Sequence, residues 1–153
     1  MKHLLSVIYL SISCLLLLIS TVQCKRSESE LAPKIAGLIG TWKLVEPDST
    51  YDVTLVFALD TAHPPQDVTS FKASGKAGVN AYTLNLFAAI DGMMMADQLN
   101  STYKAGTPVA MQFEQSYLKN LKAVARYELT TDHQLRLYHG GDQPRVLVYE
   151  KQN

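Results

Sequence analysis

The stretch 68-VTSFKASGKAGVNAYTLNLF-87 decides how this chain is read. Val68 to Ala73 alternates in character, and so does Val79 to Phe87, where Val79, Ala81, Thr83, Asn85 and Phe87 stand against Asn80, Tyr82, Leu84 and Leu86. A period of two sends successive side chains to opposite faces of a strand. Between the two runs lies Ser74-Gly75-Lys76-Ala77-Gly78, the sharpest turn signal in the sequence. The reading is strand, tight Gly-rich turn, strand.

The same pattern extends on both sides. Upstream, Gly40 to Val45 reads as a first strand with Trp42 and Leu44 on one face, and Glu46 to Ser49 as a turn. Tyr51 to Leu59 is a second strand, in which Val53, Leu55, Phe57 and Leu59 alternate against Asp52, Thr54, Val56 and Ala58. Asp60 to Asp67 carries His63-Pro64-Pro65 and is a loop. Downstream, Asp91-Gly92 ends the strand that closes at Phe87, and Met93 to Leu99 forms a short one. Ala125 to Leu129 is another, and Leu135 to Tyr138 pairs with Val146 to Glu150 around Gly140-Gly141-Asp142.

One segment changes period. Thr107-Pro108 is a helix start, a hydroxyl cap followed by proline in the first turn. Val109, Phe113, Tyr117 and Leu121 then recur every four residues, with Lys119 and Lys122 near the end where the dipole favours cations. The sum is a mainly β, β-rich α+β domain. It has about seven or eight short strands in an antiparallel, barrel-like or sandwich-like sheet, and one amphipathic helix at Pro108–Lys122.

The N-terminus sets the address. Lys2 and His3 precede an apolar run from Leu4 to Val22, and no acid appears before Glu28. A basic start followed by an apolar segment is a secretory signal. Cys24 follows it after Gln23, and the polar stretch Lys25 to Glu30 follows Cys24. This is how bacterial lipoproteins look: the thiol takes a diacylglycerol, the signal is cut and the polar arm becomes a tether. The alternatives are a cut after Cys24 itself and an uncleaved anchor, since the run approaches the ~17–25 residues that span a bilayer. Cys14 lies inside the apolar run and is a poor second candidate. The expected organisation is a signal over residues 1–24, a polar tether over 25–37 and a domain over 38–151. Localisation follows as exported, either outer-membrane lipoprotein or periplasmic.

Composition narrows the function classes. Lys and Arg total 14, as do Asp and Glu, so there is no basic footprint for nucleic acid. Both cysteines lie at or before position 24, which leaves the domain without thiol, disulfide or Cys-based metal site. Gly75 and Gly78 do not open a phosphate loop, because a strand rather than a helix follows them. His133 and His139 flank one strand and lie roughly 20 Å apart at ~3.3 Å per residue, too far to share a metal. His63 sits in the Pro-rich loop, and loop histidines are ordinarily exposed. Met93-Met94-Met95 cannot converge on a soft metal, because neighbours in a strand face opposite ways. Glu114 suits the early turns of the helix; alternatively it is a buried acid hydrogen-bonded to sheet backbone or to Asn80. Gly-x-Ser-x-Gly is absent. The sequence nominates no catalytic residue, no metal ligand and no cofactor.

Three blocks carry a family resemblance. Ser74-Gly75-Lys76-Ala77-Gly78-Val79-Asn80-Ala81-Tyr82 resembles the S-G-x-x-G-C-N-x-(Y/F) motif of META-domain proteins. Ser101-Thr102 with Ala105-Gly106, then Met111, Phe113, Glu114 and Tyr117, resembles that family's helix block. The strands at Tyr127-x-Leu129 and Leu135-x-Leu137-Tyr138 resemble its C-terminal block. With Gly40 to Leu44, the likeness covers roughly residues 38–151. It implies a β-rich barrel-like sheet with one helix, lipid anchoring in the envelope through Cys24, a stress-linked role and no catalytic residues. In that picture Ser74, Gly75, Gly78, Asn80 and Tyr82 form a structural turn. Many members carry cysteine where this chain has Val79, and a second near the helix start, so no redox role carries over. A rival likeness rests on Gly40-Thr41-Trp42, the Gly-x-Trp start of lipocalin-like barrels that enclose one apolar ligand. The expectation is a non-enzymatic envelope lipoprotein that binds a protein or envelope component, with a lipocalin-like carrier as the alternative. The carrier would need a cavity lined by inward residues such as Trp42, Leu55, Phe57 and Leu84.

Overall fold

A computed structural model describes residues 31–63, 66–131 and 133–152. Cys24, the signal and the first part of the tether lie outside the described residues. Among the described residues there are eight strands: β1 (Gly40–Glu46), β2 (Val53–Leu59), β3 (Val68–Ala77), β4 (Ala81–Ala89), β5 (Met94–Ser101), β6 (Val124–Leu129), β7 (Gln134–His139) and β8 (Arg145–Gln152). Helices α1 (Pro33–Ala36) and α2 (Pro108–Lys122) accompany them. The strand order is β5-β4-β3-β2-β1-β8-β7-β6, with every pairing antiparallel. The two edges nearly meet. Met93 bridges Arg126, and the Tyr127 N–H donates to the Gly92 carbonyl at 2.8 Å. The sheet is thus a nearly closed barrel, a shape that removes most exposed edge.

An eight-stranded barrel has an interior just wide enough for side chains to fill it. The alternating pattern supplies them: Trp42, Leu55, Phe57 and Leu84 are all at most 3% exposed. The strand register also sorts the connections. The β1–β2 turn, the Gly78–Asn80 turn, the segment after β5 and the β7–β8 turn lie at one end. The β2–β3 loop, the β4–β5 turn and the β6–β7 turn lie at the other. Helix α2 covers the first end, where the Phe113 ring stacks on Tyr51 of the β1–β2 turn at 4.2 Å between centroids. Tyr117 and Leu121 project into the core. Helix α1 sits at the second end, burying Ile35, and the Trp42 indole N–H donates to the Leu38 carbonyl at 2.8 Å.

The structure departs from the sequence reading in four places. The Gly-rich turn is displaced: Ser74 to Ala77 continue β3, and the chain reverses at Gly78-Val79-Asn80, with Gly78 at φ +93°. Gly75 is a strand residue, and the position requires glycine because a Cβ there would collide with the Thr54 carbonyl and come within 2.7 Å of the Tyr82 hydroxyl. The helix stripe begins at Phe113, since Val109 is 67% exposed. Residues 33–36, expected in the tether, form α1 and pack on the core. His139, expected to flank the strand that ends at Tyr138, is the last residue of β7 and is 6% exposed.

Candidate functional site

The motif residues converge where α2 meets the β3–β4 turn. The first turn of α2 is fixed by Thr107, whose hydroxyl accepts from the Ala110 N–H at 3.3 Å. Two turns on, Glu114 is 4% exposed and aims at the sheet rather than at solvent. Its Oε2 accepts the Asn80 N–H at 2.7 Å and the Val79 N–H at 3.2 Å, and its Oε1 accepts Asn80 Nδ2 at 2.8 Å. Asn80 is buried too. Its second amide hydrogen goes to the Lys104 carbonyl, while Oδ1 accepts from Thr102 Oγ1 at 2.8 Å and the Lys104 N–H at 2.7 Å. A carboxylate and an amide with their hydrogen-bonding capacity spent inside the protein hold structure together. Met111 stands beside this clasp. A Cβ at Gly106 would lie 2.7 Å from Val79 Cγ2 and 3.4 Å from Met111 Sδ, so the absent side chain lets the loop close on Val79. Val79 thus makes an apolar contact beside the clasp.

Below the clasp runs a line of buried hydroxyls. The Tyr82 hydroxyl donates to the Thr54 carbonyl at 2.7 Å, and so accepts from Tyr117 at 2.8 Å. The Tyr149 hydroxyl donates to Tyr117 at 3.1 Å. The direction is fixed: Tyr149 to Tyr117 to Tyr82 to Thr54. Burial pushes all three phenols well above their ordinary value. Among the described residues no buried side-chain nitrogen or oxygen lacks a partner.

The outer face carries a different cluster, which sequence reasoning missed. Asp60, 5% exposed at the end of β2, receives His63 Nδ1 at 2.9 Å, Lys72 Nζ at 3.3 Å, Ser70 Oγ at 3.4 Å and the Ala62 N–H at 3.2 Å. The His63 hydrogen bond holds its carboxyl below the ordinary range, with Lys72 adding to this. Aspartate, histidine and serine meet here, but serine and histidine both bond the carboxylate. A nucleophile relay needs the hydroxyl on the imidazole instead. The only available signal was an acid closing a strand three residues before a histidine. A groove of about 570 Å³ opens beside it, floored by Phe87 and bounded by His63, Lys72 and Asp97.

The remaining candidates separate. Met94 points inward at 4% exposure, while Met93 and Met95 are 58% and 59% exposed. His63 and His139 occupy opposite ends of the barrel. Burial, and then Arg145, hold the His139 imidazole below its usual value. Among the described residues no group of three or more His, Cys, Asp or Glu side chains is placed to hold a metal ion, and no helix is long and apolar enough to cross a membrane.

Fold and clasp together define a small, nearly closed antiparallel barrel with a filled interior, its helix α2 locked to the β3–β4 turn by a buried acid. The META domain model matches residues 37–152, and the chain belongs to the META domain family. A protein from Burkholderia xenovorans, solved by NMR, superposes with a TM-score of 0.58 at 23% identity, covering 84% of this chain and 98% of its own. That likeness shows a shared fold. No curated protein matches the chain.

Proposed function

We propose that this protein is a non-enzymatic binding module of the cell envelope, held at a membrane by a lipid on Cys24 and meeting a protein or envelope component with its outer surface. The observation that carries the reading is the filled barrel. Trp42, Leu55, Phe57 and Leu84, which a lipocalin-like carrier would array around an apolar cavity, are packed by one another and by Tyr117 and Leu121 from α2. A ligand has to be met outside. The buried polar groups have structural duties: Glu114 and Asn80 join helix to sheet, and the tyrosines join three elements of the core. The basic start, the apolar run and the position of Cys24 support export and acylation. A stress-linked role accords with the family resemblance.

Native mass spectrometry of the full chain, extracted from membranes and offered lipids and lipophilic dyes, tests the filled barrel. The expected result is a mass explained by protein and covalent lipid alone. A one-to-one adduct that survives displacement by detergent restores the carrier. The anchor is tested by Cys24→Ala, which should release the protein from membranes; retention there refutes it.

A further inference from the structure

We propose that the α1 end of the barrel docks on an anionic phospholipid bilayer, with Ile90, Met93, Met95 and Val68 entering the interface and Lys34 and Arg126 at its rim. The inference rests on the Cys24 anchor proposed above. Large exposed apolar side chains are unevenly distributed over the described residues. Ile39, Val68, Ile90, Met93 and Met95 lie toward the α1 end, and only Tyr103 and Val109 toward the α2 end. The register makes most of the first group contiguous. Val68 pairs with Ala89 and Phe87 with Met95, while the Ala89 N–H donates to the Met93 carbonyl at 3.0 Å. Such a patch marks a surface that meets another phase or partner.

Two cations converge on the same turn. Lys34 Nζ donates to the Ile90 carbonyl at 3.1 Å, and Arg126 Nη2 to the Asp91 carbonyl at 3.4 Å. The Cβ position at Gly92 lies 3.4 Å from Lys34 Nζ and 3.7 Å from Arg126 Nη2, so the two charges flank one residue of the turn. Among the described residues neither forms a salt bridge, and the nearby Asp91 carboxylate is engaged by the Met93 N–H at 2.9 Å. Apolar side chains flanked by basic ones are the composition that lies in a membrane interface.

Chain geometry selects the bilayer as occupant. The described chain starts at Leu31, which packs against the core, and enters α1, whose Lys34 touches the β4–β5 turn. From Cys24 to Leu31, at no more than ~3.6 Å per residue, the reach is about 25 Å. A lipid on Cys24 therefore keeps the apolar turn close to the bilayer, where even a weak patch is engaged through its effective concentration. The diacylglycerol on Cys24 supplies the attachment, and the basic, apolar patch adds a contact that orients the barrel on the bilayer.

The test uses the full chain, processed in a bacterial envelope and reconstituted into phosphatidylethanolamine–phosphatidylglycerol vesicles that contain spin-labelled lipid. Met93→Cys and Tyr103→Cys variants carry an environment-sensitive fluorophore, with the wild-type chain as the labelling blank. Both positions are exposed, so neither change threatens folding. The label at Met93 should be quenched several-fold more than that at Tyr103, and Ile90→Asp in the same chain should abolish the difference. Equal quenching on protein whose N-terminal peptide carries acyl mass overturns docking and leaves the anchor standing. An N-terminal peptide without acyl mass refutes the anchor and this inference with it. A Met93 label shielded from lipid but cross-linking to a second copy, or to another protein, assigns the patch to that partner and overturns the bilayer.

Discussion

Glu114 on the helix and Asn80 in the β3–β4 turn are joined twice, backbone N–H to Oε2 at 2.7 Å and side-chain amide to Oε1 at 2.8 Å. The helix contributes the acid and the turn contributes the donors. Together with the buried Tyr117–Tyr82 hydroxyl bond at 2.8 Å, the clasp fixes where α2 sits on the barrel.

Glu114→Gln tests the clasp. The carboxylate accepts three donors, from Val79, from the Asn80 backbone and from the Asn80 side chain. A glutamine has one acceptor oxygen, so its NH₂ would face a donor and leave a buried group unsatisfied. The expected cost is about 1–3 kcal/mol, read as a lower urea midpoint with unchanged slope. A midpoint equal to wild type would mean that the acid is dispensable to the helix seat.

Much of this was legible in the sequence, and the limits are instructive. Alternation identified the strands because the barrel has one wet and one dry face, which a period of two reports directly. Thr107-Pro108 located the helix start because capping is local chemistry. The turn was misplaced at Ser74–Gly78 because glycine signals either a reversal or a close approach, and Gly75 is the second kind. Its reason lies at Thr54 and Tyr82, far away in sequence. The Asp60 cluster was illegible for the same reason: Ser70 and Lys72 reach it from the next strand. The pairing of β1 with β8, which joins the sequence ends of the domain, leaves no local mark at all.

Gly75→Ala separates the two roles of glycine. Its new methyl meets a backbone carbonyl, which cannot swing aside, as well as the Tyr82 hydroxyl. Overpacking of this kind costs about 1–3 kcal/mol or more, and Tyr82→Phe should not rescue it because the Thr54 carbonyl remains. Gly141→Ala is the control. Nothing lies within 4 Å of its Cβ position, and only its φ of +60° opposes alanine, for about 1–2 kcal/mol. Thermal denaturation should rank the double variant below Gly75→Ala, since Tyr82→Phe adds its own cost instead of relieving the clash, and both below Gly141→Ala.

Asp60 governs the β2–β3 loop. Its carboxyl is held below the ordinary 3.8, first by His63. A depressed carboxyl stabilises its ordered surroundings above the unfolded value, and that contribution is lost as pH falls through the folded one. NMR shifts of the Ala62 amide and of Ser70, both bonded to the Asp60 carboxyl, should therefore move together in acid, at a pH below 3.8. Asp60→Asn should remove that shared step while the β1–β8 resonances stay in place. Independent titration of the two residues would show that the cluster does not act as one unit.

The buried tyrosines predict the alkaline limit of the fold. Tyr82, Tyr117 and Tyr149 have their phenols raised above the ordinary 10.0 by burial. Below pH 10 both folded and unfolded chains hold these protons, and the groups contribute no pH dependence. Above it the unfolded chain releases them while the folded chain keeps them, so stability falls as pH rises toward the folded values. Each group contributes about 1.4 kcal/mol per pH unit, and three together about 4. A domain with the usual ~5–15 kcal/mol cannot withstand many such units. Urea midpoints should hold steady up to about pH 10 and then drop steeply, with phenolate absorbance rising in step with unfolding rather than before it. Tyr149→Phe removes only the first donor of the line, and should flatten the alkaline slope by about a third at a cost near 1 kcal/mol at neutral pH. Tyr82→Phe takes the donor from Thr54 and the acceptor from Tyr117, so its neutral-pH cost should be the larger. If phenolate absorbance instead climbs ahead of unfolding in the wild type, the three hydroxyls are not sealed in the core.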